Sequence, residues 1–235
     1  MIGALKSLRT APPTKRSLST AIVLSGEHRR VLLEPQGCID RYRFGDPARY
    51  NQGNPPSVLA DWTISTTGNK QIGGAHDVHW IKPGLPGAGH FLIFNNGEYL
   101  FEQTPQSYIF EVDPYYDSKK TNTGRYVNPP DAGYYSWTVQ NKDAMKQTKL
   151  ISNQVVWIYN SKSNLNFFST IGSSAQRLPN GNTLICSDTD GTLFEVTNGD
   201  ATTDPKVLWQ YVNPVTADGI KQVITDNYPM YNSVF

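Results

Sequence analysis

The chain holds four histidines, His28, His76, His79 and His90. An imidazole titrates near neutral pH, with an ordinary pKa of about 6.5, so it suits proton transfer or nucleophilic attack in that range. His76 and His79 open a strand-like run, Gly74-Ala-His-Asp-Val-His-Trp80. Alternate side chains of a strand face opposite sides, which puts His76 with Val78 and Asp77 with His79. The two histidines are therefore not expected to act as a pair on one substrate. His90 ends a Pro/Gly-rich turn just before a strand and reads as a structural turn residue. His28, at the N-terminal arm, reads as unrelated to the site.

Other chemistry is scarce. Asp188-Thr-Asp-Gly191 resembles the start of a calcium loop. The glutamate that closes such a loop is missing at the needed spacing, so the segment reads as a hairpin turn and no metal is expected. There is no Gly-rich phosphate cradle, no nucleophile elbow and no Cys/His zinc spacing. Cys38 and Cys186 lie far apart and read as small buried hydrophobes, with a disulfide between them as the alternative.

These few groups must be carried by a scaffold. The 235 residues are 38% hydrophobic and rich in Gly, Pro, Asn, Thr and Tyr, a composition of short strands and many turns. The net charge of +1 comes without a basic patch, which argues against nucleic acid or an anionic membrane as partner. No stretch approaches the roughly 20 apolar residues of a membrane span. Residues 1–27 read as a flexible arm without a clear signal peptide, and residues 28–235 as one partial repeat domain.

The domain repeats itself. One unit runs Gly74–Trp80, Phe91–Gly97, Tyr108–Pro114 and Val155–Tyr159; the next runs Gly172–Leu178, Thr183–Asp188, Thr192–Thr197 and Val207–Tyr211. Asn96-Gly97 and Asp190-Gly191 are hairpin signals, because these dipeptides tolerate positive φ. A weaker third copy precedes them, over Val31–Gly37, Ile39–Phe44 and Val58–Ile64. Four short antiparallel strands per unit, each ending near a tryptophan, read as blades of an all-β, β-propeller-like array. Three to four blades are expected, with little helix. Trp62, Trp157 and Trp209 are expected to pack between units. In the repeat, Ser174 aligns with His76 and Arg177 with His79. Residues 115–150 interrupt the first unit and read as a lid, a contact surface or a solvated loop.

Several long motifs now stand in one order. They are Tyr42-Arg-Phe-Gly-Asp-Pro-Ala-Arg-Tyr50, the run from His76 through Pro83-Gly-Leu-Pro-Gly-Ala-Gly-His90 to Asn95-Asn-Gly97, and Ser174-Ala-Gln-Arg-Leu-Pro-Asn-Gly-Asn-Thr-Leu-Ile185. Gly191–Val196, Trp209–Pro214 and Asn232–Phe235 follow. Over roughly Gly37 to Phe235 the chain resembles the arylsulfate sulfotransferase family.

The resemblance implies a six-bladed propeller that moves a sulfuryl group from a phenolic sulfate ester to another phenol. It implies no nucleotide donor and no cofactor, a covalent sulfohistidine in the central channel, and a periplasmic or extracellular location. His76 matches the position of the family's catalytic histidine. His79, Ser174, Arg177 and Asn95 are the channel or substrate-contact candidates, with a surface salt bridge as the other reading of Arg177. The further histidines and arginine of the family's site are not found in residues 1–73. Three blades do not close a six-bladed ring. The chain is then a piece of a longer protein, or copies associate to complete the ring, or the propeller is an inactive binding or assembly module.

Overall fold

The computed structural model describes residues 7–9, 19–21, 42–45, 71–97, 106–140, 146–160, 167–199 and 205–214. Most of the third repeat copy, with Trp62, lies outside them, as do His28, Cys38 and Asn232–Phe235. Within the N-terminal arm, β1 (Ser7–Arg9) pairs antiparallel with β2 (Ser19–Ala21).

Each full repeat forms one four-stranded antiparallel sheet. In the first, β3 (Ala75–Trp80), β4 (Phe91–Asn95) and β5 (Tyr108–Val112) run as a meander, and β8 (Val155–Tyr159) closes it. In the second, β9 (Ser174–Arg177), β10 (Thr183–Ser187), β11 (Thr192–Val196) and β12 (Val207–Val212) follow in the same order. Helix among the described residues is confined to a single turn, α1 (Pro129–Ala132). Among the described residues the sheets are open, and no helix is long and apolar enough to cross a membrane.

Glycine sets some of these turns. Gly97 ends β4 at φ +78°, and a Cβ there would lie 1.7 Å from the Gln106 carbonyl oxygen, so only glycine fits. In the second sheet, Gly181 closes its turn by donating to the Leu178 carbonyl at 3.0 Å.

The sheets pack face to face. Leu92, Phe94, Ile109 and Tyr159 meet Ala175, Ile185, Phe194 and Val196, with Phe167 of the connecting segment between them. The other face of the first sheet carries Val78, Phe91, Ile93, Tyr108 and Phe110, covered by Tyr42, Phe44 and Ile72. Burial of both faces suits the near-continuous apolar runs of β4 and β5.

The 115–150 insertion is structured through residues 115–140 and from 146 onward. It contains α1, β6 (Tyr134–Gln140) and β7 (Lys146–Ser152), the two strands forming a hairpin. Trp137 packs edge-on against Tyr108 at 4.9 Å and Phe110 at 5.9 Å. The buried Gln154 side chain accepts from the Tyr42 hydroxyl at 2.8 Å and donates to the Val127 carbonyl at 2.8 Å. The insertion is thereby tied into the core of the first sheet, which excludes the solvated-loop reading.

The ladders correct the repeat alignment by one residue. Phe91 pairs with Trp80 and Ile93 with Val78, whereas Thr183 pairs with Arg177 and Ile185 with Ala175. Phe91 and Thr183 are equivalent, so Arg177 matches Trp80 and Ser174 matches Asp77. The offset arises at a bulge. Ala75 pairs with Asn95 and Asp77 with Phe94, which leaves His76 as the extra residue. A bulge has no fixed mark in the sequence.

Candidate functional site

The bulge decides what His76 can do. Asp77 and Val78 are buried on opposite faces of β3, but His76 stands out of the alternation and is exposed. Its Nδ1 lies 2.8 Å from Asn96 Oδ1 and 3.0 Å from the Gly74 carbonyl oxygen. Asn96 is fully buried, and its amide nitrogen donates to the Ser169 carbonyl at 2.7 Å and the Gly172 carbonyl at 3.3 Å. Those two bonds orient the amide with Oδ1 toward the imidazole. Nδ1 thus faces two acceptors, which assigns the proton to it. In the neutral ring Nε2 then carries the lone pair. The arrangement is an exposed imidazole with one nitrogen tethered and the other free to attack or to take a proton.

Beside it lies the β10–β11 turn. The Asp188 carboxyl is pushed above its ordinary pKa by burial, opposed by the nearby charge of His76. One of its oxygens, Oδ1, is buried without a hydrogen-bond partner. The other presses on the connecting segment, where a Cβ on Gly172 would come within 2.1 Å of it. Gly172 has φ +63°, so glycine is needed for conformation and for space. Ser173 also sits at positive φ, +78°. It is held there by a hydrogen bond from its hydroxyl to Ser169 Oγ at 2.7 Å and one from the Asp188 amide to its own Oγ at 2.9 Å. Strained backbone fixed by its surroundings is a mark of functional segments.

The other sequence candidates lie elsewhere. His79 faces the second sheet, with Nδ1 3.1 Å from Asp77 Oδ2, which in turn accepts the Ala175 amide at 3.3 Å. Asn95 is fully buried and accepts the Gly73 amide at 2.8 Å, so it fixes the turn before β3. Ser174 Oγ is buried without a partner. Cys186 is buried with a free thiol, whose pKa burial and Asp188 raise to about 11.

Arg177 is 2% exposed and forms an ion pair with Glu111 of the first sheet, so it is a salt bridge buried between the sheets and not the surface one expected. Its guanidinium lies 5.4 Å from the centre of the Trp157 ring and donates to the Gly181 carbonyl at 3.1 Å. Burial lowers its pKa, opposed by the Glu111 charge and hydrogen bond. His90 completes the cluster, with Nδ1 2.6 Å from Glu111 Oε1 and Nε2 3.2 Å from Asp113 Oδ2. Burial works against its charge, but the hydrogen bonds and charges of Asp113 and Glu111 prevail and raise its pKa to about 9. Its turn position was read correctly, but its charge was not foreseen. Trp157 packs between the sheets as expected. Trp209 does not. It is 45% exposed, because no described residue covers its face.

Sequence reasoning missed Asn96, Asp188 and Glu111 as partners. Asn96 and Asp188 were visible only as turn residues. Glu111 had a signal, the Phe-Glu-Val repeated at Phe194-Glu-Val196, where a charge recurs in an apolar strand. Among the described residues no group of His, Cys, Asp or Glu could hold a metal ion. No protein-family model, curated protein or solved structure matches this chain.

Proposed function

We propose that the two sheets are adjacent blades of a propeller and that the chain belongs to a sulfuryl transferase acting between phenols, with His76 as nucleophile. The observation that carries this reading is the bulged, exposed His76, whose Nδ1–H is tethered and whose Nε2 lone pair is free. The lone pair attacks the sulfur of an aryl sulfate. The S–O bond to the ring breaks, the phenolate leaves with the electron pair, and Nε2 holds the sulfuryl group. A second phenol then attacks sulfur, the S–N bond breaks, and the phenolic proton passes to solvent. The Nδ1–H bond to Asn96 steadies the cationic ring of the intermediate.

The test is release of nitrophenolate from 4-nitrophenyl sulfate with phenol as acceptor. Release is expected to require phenol and to vanish in His76→Ala. Without acceptor, intact-mass analysis is expected to show one added sulfuryl group. Asn96→Ala is expected to slow turnover about 10- to 100-fold, the worth of about 1–3 kcal/mol for one hydrogen bond to a charged group. A folded protein that releases no nitrophenolate and gains no mass sinks the proposal. The exposed apolar face of the second sheet, with Leu208, Trp209 and Tyr211, supports a second reading as an assembly module.

A further inference from the structure

The repeat makes the buried interface between the sheets comparable with the face of the second sheet that no described residue covers. In β5 and β8, Glu111 pairs with Trp157; in β11 and β12, Glu195 pairs with Trp209. By the same register Leu184 matches Leu92, Leu193 matches Ile109 and Tyr211 matches Tyr159. The uncovered face thus carries the residue types by which the first sheet holds the second.

The two glutamates differ in the charge of their partners. Glu111 Oε1 meets His90 and its Oε2 meets Arg177 from the neighbouring sheet. Glu195 Oε1 accepts from Asn182, the residue equivalent to His90, at 2.6 Å. Its Oε2 accepts from Trp209 Nε1 at 2.8 Å. The matching Trp157 Nε1 instead donates across the interface to the Asn198 carbonyl. So the Trp209 indole stands where an arginine stands one sheet earlier, and the donors named to Glu195 are neutral amides and an indole.

We propose that this face docks a further four-stranded unit of the same repeat, whose arginine, at the position of Arg177, enters between Glu195 and the Trp209 ring. On docking, the Trp209 N–H leaves Glu195 and finds a carbonyl of the arriving unit. A second copy of this chain meeting face to face is disfavoured, because its Arg177 is already buried against its own Glu111 and its matching face brings another glutamate. The inference rests on the repeat and does not depend on what His76 does.

The test appends a duplicate of residues 167–214 to the full chain through a flexible linker, with the duplicate's own Trp209 and Tyr211 changed to phenylalanine. Hydroxyl-radical oxidation then reports on Trp209 and Tyr211 of the parent sheet. These are 45% and 51% exposed, whereas the equivalent Tyr159 is 3% exposed. Oxidation of both is expected to fall several-fold. The protection is expected to disappear with Arg177→Gln in the duplicate, and equally with Glu195→Gln in the parent sheet. Unchanged oxidation overturns the proposal, and so does protection that survives both substitutions. Concentration-dependent protection of the unextended chain overturns it in favour of a second copy.

Discussion

The two sheets share strand order and register but not burial. β5 and β11 carry nearly the same residues, Tyr-Ile-Phe-Glu-Val and Thr-Leu-Phe-Glu-Val. Every residue of β5 is buried, while β11 alternates between buried and partly exposed. The strand sequence therefore sets which residues share a face, and the neighbouring elements set whether that face sees water. The clearest case is the glutamate. Glu111 lies at the centre of a buried cluster of charges, and Glu195 accepts neutral donors at the surface.

The comparison breaks most sharply at these carboxylates. Glu111→Gln leaves the buried Arg177 against a neutral amide and the half-buried, protonated His90 with Asp113 alone. A cost of about 3–5 kcal/mol is expected, the usual range for removing one partner of a buried ion pair. Glu195→Gln is expected to leave the denaturant midpoint of the unextended chain where it was. Urea unfolding of both variants measures the contrast, and equal effects would mean the charged cluster contributes nothing.

Apolar truncation extends the test. Phe94→Ala removes a fully buried ring between the sheets and is expected to cost about 3–5 kcal/mol. Leu208→Ala, on the 55% exposed outer strand, is expected to stay within about 0.5 kcal/mol. A large loss at Leu208 would show that its face is covered in solution.

What could be read in advance followed the same division. Both four-stranded units were legible, because paired apolar runs and the Asp190-Gly191 turn are local signals; Asn96-Gly97 misled, since β5 begins only at Tyr108. The face-to-face packing through Trp157 was legible too, since a repeat must cover its own faces. The partners of His76 were not. They come from the first sheet's turn at Asn96, the connecting segment at Ser169 and Gly172, and the second sheet's turn at Asp188, joined by a one-residue bulge. The bulge also misled the alignment of Ser174 and Arg177, because strict alternation assumes a regular ladder. Nor could the sequence tell which face lies open, since Trp157 and Trp209 carry the same local signature.

His90 gives a smaller effect whose sign separates the sheets. Its pKa rises from about 6.5 to about 9 on folding. A histidine with a raised folded pKa adds stability that is complete below its unfolded pKa and is lost as pH rises through the folded one. The loss should therefore run from about pH 6.5 to about 9. Its size should be on the order of 2 kcal/mol, less than the full shift implies because the ring is partly open to solvent. Asn182 holds the equivalent place in the second sheet and cannot titrate, so none of this loss comes from the outer face. Urea midpoints between pH 6 and 8.5, below the range where the Cys186 thiol titrates, should slope downward in the parent chain and lose that slope in His90→Gln. A slope retained by His90→Gln would assign the titration to another group and leave the cluster without its pH dependence.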